Sequence, residues 1–227
     1  MSCYKIFDND GVKKAVIFAG GNINRDFAHK IMQNNSFDFI TAVDSGLDTV
    51  HAMGIFPDCI VGDFDSISDS SLISFYEERG SRVLRFPADK DFTDTQLGCE
   101  TAVEQGYSHL VILGATGSRI DHMLCSLNLI AQLNERVVDC FIIDENNKIY
   151  VLSGGEHIIE KKSVFGEYIS FMPVDDVEGF SLNGFLYDLE NVYLKRDTTL
   201  TVSNKLLHNK AEVIIKKGRI LVIESKN

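Results

Sequence analysis

The feature that most limits what this chain can become is its punctuation over roughly the first 145 residues. Short apolar runs at 15–19, 39–43, 59–61, 82–86, 110–113 and 138–143 alternate with stretches of helical character. Strands that alternate with helices are joined by crossovers, which lay them parallel in one sheet covered on both faces. The intervening helices carry their own signals. One is predicted over 69–79, closing at Gly80, a glycine placed where a helix C-terminus needs one. A second starts near Asp94, with Thr93 and Gln96 in capping-box spacing, and stops near Gly106. A third places Met123, Leu124, Leu127, Ile130 and Ala131 on one face at a period of 3.6.

Beyond about residue 144 the texture changes. Short alternating runs at 148–152, 168–172, 200–202, 211–215 and 219–223 are separated by turn residues, among them Gly154-Gly155, Asn183-Gly184 and Lys217-Gly218. The last two runs, split by Lys217-Gly218, predict a β-hairpin. The chain thus reads as α/β plus all-β. Residues 1–145 form a mostly parallel sheet with helices on both faces, and residues 146–227 a small C-terminal β-sandwich. At 227 residues it is long enough to bury a core for each.

Charge and cysteine content narrow the function classes. A formal net charge of -11 argues against a general nucleic-acid binder, which needs clustered Lys and Arg. The cysteines (Cys3, Cys59, Cys99, Cys125 and Cys140) are odd in number and lack CxxC spacing, so they read as reduced packing residues. The start of the chain, with Tyr4, Lys5 and Asp8, has no apolar leader, and no apolar run approaches the ~20 residues of a membrane span. A cytoplasmic protein with no membrane partner is expected.

The chemistry is placed by the strands. In an open parallel sheet, ligands bind beyond the carboxyl ends of the strands, and there the unusual residues gather. Gly20-Gly21-Asn22 follows the first strand and Asp44-Ser45-Gly46 the second. Gly62-Asp63-Phe64-Asp65-Ser66 follows the third and Asp89-Lys90-Asp91-Phe92-Thr93-Asp94 the fourth. After the fifth comes Gly114-Ala115-Thr116-Gly117-Ser118-Arg119-Ile120-Asp121-His122. In extended backbone Asp63 and Asp65 point the same way, and two adjacent carboxylates repel unless a hard cation such as magnesium joins them. The alternative is an Asp-rich turn whose side chains bond nearby backbone N–H groups. Thr93 and Asp94 equally suit helix initiation, a role compatible with phosphate binding at the same helix start. In the fifth cluster the glycines, Gly117 among them, offer N–H donors and Arg119 a bidentate clamp for phosphate oxygens. The GxxxxGK[ST] loop is absent. His122 alone reads as a helix hydrogen-bonding residue.

The clusters after the second to fifth strands, with Pro57-Asp58, resemble in order and spacing the bacterial thiamine pyrophosphokinases. The later segments Gly184-Phe185-Leu186-Tyr187-Asp188-Leu189 and Val202-Ser203-Asn204, and the closing strand 218–224, are similar as well. Gln96 and Ser118 depart from the residues, Glu and Gly, that many relatives carry. The resemblance implies diphosphate transfer from ATP to the hydroxyl of thiamine, by a homodimer whose active sites lie at the subunit interface. It implies magnesium on Asp63, Asp65 and Asp94, with Arg119 and Asp121 completing the catalytic set. Asp44, Lys90, Asp91, Thr93, Gly117, Arg119 and His122 fall to ATP, the co-substrate, and Ser203 and Asn204 to thiamine. A pyrophosphokinase acting on a hydroxymethyl pterin, a metal-dependent phosphohydrolase and a sensor without turnover are the rival readings.

Overall fold

The computed structural model describes residues 4–7, 11–89 and 91–226. Its first part follows the alternation read from the sequence: β1 (Lys14–Phe18), α1 (Arg25–Asn34), β2 (Phe39–Val43), α2 (Gly46–Ala52), β3 (Cys59–Gly62), α3 (Ser71–Glu77), β4 (Arg82–Arg85), α4 (Asp94–Glu104), β5 (His109–Leu113), α5 (Ile120–Glu135) and β6 (Asp139–Ile143). The strands stand in the order β6-β5-β1-β2-β3-β4, with every pairing parallel. The chain steps outward from β1 to β4 and then returns to set β5 on the other side of β1. That reversal makes the β1–β5 boundary the topological switch point, where a crevice opens beyond the strand ends.

The period of two along β1 feeds two separate cores. Ala15 and Ile17 pack with Cys99 and Ala102 of α4 and with Leu129, Ile130 and Leu133 of α5. Val16 and Phe18 face the other way, onto Phe27 and Ile31 of α1, Leu47 and Val50 of α2, and Ile73 and Tyr76 of α3. Helices therefore cover both faces, as expected. The capping signals hold: the Thr93 side chain accepts a hydrogen bond from the Gln96 N–H at 3.2 Å, and Gly80 and Gly106 end their helices at positive φ. The apolar face expected of α5 holds only in part. Ile130 and Ala131 are buried, but Leu124 is exposed, because the buried face of the helix also runs through Ser126, Leu129 and Leu133.

The second part contains β7 (Asn147–Glu160), β8 (Tyr168–Pro173), β9 (Val177–Asn183), β10 (Leu189–Leu194) and β11 (Lys210–Ser225). Two expectations fail here. The segments flanking Lys217-Gly218 are not a hairpin but one strand, β11, paired along its length with the long strand β7. The glycines mark a register shift between Ile215 and Arg219, facing Gly155 and Ser153, where a positive φ at Gly218 admits a bulge without ending the strand. Residues 200–202 form a turn, not a strand. The Leu200 N–H bonds the Thr198 hydroxyl, the Thr201 hydroxyl bonds the Phe171 carbonyl, and Ser203 turns to φ +61. Strand β9 pairs with the first half of β11 and β8 with the second. Phe171 of β8 nevertheless meets Phe180 of β9 edge to face at 5.7 Å, so the ribbon folds over its own core in the manner of a sandwich.

Candidate active site

Beyond the strand ends lies a cavity of about 620 Å³, lined by members of all five clusters named from the sequence. Its floor is backbone laid on backbone. The Gly21 N–H donates to the Gly114 carbonyl at 3.1 Å, and a Cβ on Gly21 would stand 2.1 Å from that oxygen. Only glycine lets the β1 and β5 loops meet so closely. The Ser45 hydroxyl donates to the Gly20 carbonyl at 3.0 Å, tying the β2 loop to the same floor.

Asp44, Asp63, Asp65 and Asp94 all line the cavity. The extended backbone expected for Asp63 and Asp65 is not found. Phe64 adopts φ +68 between them, and the Asp65 N–H donates to Asp63 Oδ1 at 3.1 Å. The Asp-rich turn is therefore present, and it delivers both carboxylates to the cavity by a tighter route than a strand would. Asp44, itself at φ +47, accepts a long hydrogen bond of 3.5 Å from the Phe64 N–H. Its Oδ1 lies 1.8 Å from where a Cβ on Gly62 would be, so the glycine makes room for the carboxylate. Left-handed backbone at two non-glycine residues costs on the order of 1–3 kcal/mol each, a strain that surrounding contacts must offset.

The opposite wall is built by two helix starts. Thr93 and Asp94 open α4, and Gly117, Ser118, Arg119 and His122 lead into α5. Among the described lining residues Arg119 is the one Arg or Lys. Its guanidinium pairs with Asp121, 2.6 Å from Nη2 to Oδ2, with both side chains largely exposed. That hydrogen bond holds the Asp121 carboxyl down at about 2 and raises Arg119 in turn. Asp121 and Asp91 do not line the cavity, and Lys90 lies outside the described residues. Sequence reasoning missed Thr95 and Ser126, which also line it. Ser126 stands four residues after His122, whose carbonyl its hydroxyl bonds at 2.9 Å, so helical spacing from His122 was the available signal.

Among the described residues no three His, Cys, Asp or Glu side chains are grouped as a finished metal site. The available donors are carboxylate oxygens, the type magnesium takes, and magnesium commonly uses one or two of them with phosphate and water for the rest. The set fits a cation that a phosphate substrate completes. Ser203 and Asn204 stand apart from this cavity. Asn204 is 3% exposed and bonds the main chain of Tyr187 in both directions, at 3.0 and 2.8 Å. The Ser203 N–H donates to the Ser170 hydroxyl at 3.0 Å. No helix among the described residues is long and apolar enough to cross a membrane.

Comparison with known proteins meets this geometry from outside. Residues 29–142 match the family model described as thiamin pyrophosphokinase, catalytic domain, and residues 156–220 match its vitamin B1 binding domain. The chain is 34% identical over 184 residues to the thiamine pyrophosphokinase of Bacillus subtilis, covering 81% of this chain and 85% of that one. A crystal structure of thiamine pyrophosphokinase from Bacillus subtilis superposes with a TM-score of 0.83 at 31% identity, over 95% of this chain and all of that one. One from Geobacillus thermodenitrificans gives 0.80 at 27% identity, over 94% and 98% of the two chains.

Proposed function

The chain belongs to the thiamin pyrophosphokinase family, and from that premise we propose how its residues divide the work. The enzyme is an ATP-dependent diphosphotransferase that makes thiamine diphosphate and AMP from thiamine and ATP. The thiamine hydroxyl attacks the β-phosphorus, a new O–P bond forms there, and the bond to the oxygen kept by AMP breaks. Such transfers ask a protein mainly for positioning and for charge stabilisation.

The convergence of Asp44, Asp63, Asp65, Asp94 and Arg119 on one cavity carries the assignment. In this reading Asp63, Asp65 and Asp94 hold magnesium together with phosphate oxygens, and Asp44 completes the surrounding shell. When bound, the ion offsets charge on the phosphates and on the departing AMP. Arg119, oriented by Asp121, holds triphosphate oxygens, and Gly117 and Thr93 present helix-start N–H groups to them. Lys90 is assigned to the same phosphates and Asp91 to orienting it, with His122 assigned to the nucleotide. Residues 1–145 form the catalytic domain. Residues 146–227 form the thiamine-binding and dimerisation domain, with Ser203 and Asn204 on the thiamine side. The active enzyme is a cytoplasmic homodimer whose sites lie between subunits.

The test is Asp63→Asn, with AMP and thiamine diphosphate followed together by chromatography. The variant is expected to fold and to lose about a hundredfold or more of turnover. The wild-type reaction should stop on addition of EDTA. Wild-type-like rates in the variant would overturn the metal assignment.

A further inference from the structure

The turn that carries Asp63 and Asp65 leaves β3 at Gly62 and does not return to regular structure until α3 begins at Ser71. A loop of that length presents two carboxylates reproducibly only if something outside it fixes its path. Two side chains on neighbouring elements reach it. On one flank, Asp48 in the first turn of α2 takes both donors of Ser68 on one oxygen, the N–H at 3.0 Å and the hydroxyl at 2.8 Å. Helix α2 starts packed directly on β1, since a Cβ on Gly46 would stand 2.1 Å from the Phe18 carbonyl. On the other flank, Arg85 at the end of β4 spreads over the Phe64 ring, 5.9 Å from guanidinium carbon to centroid. Glu77 of α3 anchors that guanidinium through two hydrogen bonds, at 3.1 and 3.3 Å. None of Asp48, Ser68, Glu77 and Arg85 lines the cavity.

We propose that Asp48, bonded to Ser68, is a positioning residue that sets the Asp63-Phe64-Asp65 turn in its metal-binding shape, with the Glu77–Arg85 pair bracing the far side. The inference rests on the reading that these aspartates hold magnesium. The bond from Asp48 to Ser68 fixes the loop downstream of the turn, while Asp44 and Gly62 fix it upstream. The strained φ +68 of Phe64 is the point at which the turn would relax once either end were freed.

The experiment compares Asp48→Ala, Ser68→Ala, their double variant and Ser68→Thr with the wild type. Two quantities are read: the half-saturating magnesium concentration for diphosphate transfer, and manganese binding by electron paramagnetic resonance with a non-hydrolysable ATP analogue. Loss of a partner that orients a metal ligand costs about tenfold or more in metal affinity. Each Ala variant should therefore raise the half-saturating magnesium concentration and the manganese dissociation constant by about tenfold, with KM for thiamine unchanged. The double variant should be no worse than either single one, because both break the same contact. Ser68→Thr, which keeps the hydroxyl, should behave as wild type. A lowered melting temperature with unchanged magnesium and manganese dependence would overturn the proposal. Asp63→Asn in parallel separates the two readings: loss there with no shift in Asp48→Ala removes only the positioning role. Full metal binding in Asp63→Asn removes the underlying reading as well.

Discussion

At the scale of single residues, the aspartates were legible and their geometry was not. Placement after strand ends is a property of order along the chain, so Asp44, Asp63, Asp65 and Asp94 were found without coordinates. The φ +68 of Phe64 accompanies the Asp44 carboxylate lying over Gly62, a contact between residues 18 positions apart that no local pattern announces. The Arg119–Asp121 pair is different, because two residues at the start of one helix can meet without tertiary help. Its chemistry yields a prediction. The folded carboxyl of Asp121 sits at about 2, below the ordinary 3.8, because Arg119 hydrogen-bonds its charged form. The pair therefore favours the folded state at all pH above the ordinary value, and that contribution fades as pH falls through about 2. A carboxyl-carbon NMR titration of the wild type should give a midpoint near 2 for Asp121, and Arg119→Ala should return it toward 3.8. An unchanged midpoint in the variant would assign the shift to another cause. Activity changes between pH 5 and 8 then belong to groups other than this pair.

At the scale of elements, the sequence separated strands from helices well where each was framed by its own punctuation. The caps at Thr93, Gly80 and Gly106 act within a few residues, so they read correctly. Glycines inside β7 and β11 were misread as turns for a physical reason: a turn and a bulge both demand positive φ, and only the partner strand tells them apart. Here the partner exists, since Gly155 faces Ile215 across the ribbon. The same logic explains why 200–202 failed as a strand. Alternating Leu200 and Val202 supply the right pattern, but Thr201 meets β8 only at Phe171, through its carbonyl and its hydroxyl, before the chain turns at Ser203. The bulge makes a prediction about β11. Gly218 has φ +105, and a Cβ there would lie 2.8 Å from the Asp176 carbonyl. Gly218→Val forces a branched side chain into both conflicts and should cost about 2 kcal/mol or more. Urea denaturation should show a lower midpoint with little change in slope. An unaltered midpoint would mean that the ribbon can straighten, and that the bend is not required by the fold.

At the scale of the whole molecule, the proposed division near residue 145 falls where the sheet does not stop. Strand β7 pairs antiparallel with β6, and one sheet runs from β4 to β10. Two contacts cross the junction, and a third, within the later part, holds the first in place. Phe165, from the later part, is buried in the core beneath α1, with its ring 6.1 Å from that of Phe27. Arg219 of β11 donates to the Ala131 carbonyl of α5 at 3.0 Å while pairing with Asp175. Glu224, 2% exposed, accepts from the Phe165 N–H at 2.6 Å and the Tyr150 hydroxyl at 2.9 Å, and stands 3.4 Å from Lys148 Nζ. Burial first, and this carboxylate second, push the Tyr150 phenol well above its ordinary value, so it stays a hydrogen-bond donor throughout the working pH range. A buried acceptor serving three donors cannot be removed cheaply, since each donor would be left dry and Lys148 without its counter-charge. Glu224→Ala should therefore lower the unfolding free energy by about 3–5 kcal/mol, and Glu224→Gln by less, because the amide oxygen keeps one acceptor. Because the junction is continuous, near-UV and far-UV circular dichroism should report one coincident urea transition for the wild type. Two separated transitions would mean that the halves are joined only by the chain, and a Glu224→Ala midpoint equal to wild type would mean that this buried carboxylate does not hold the Phe165 segment in place.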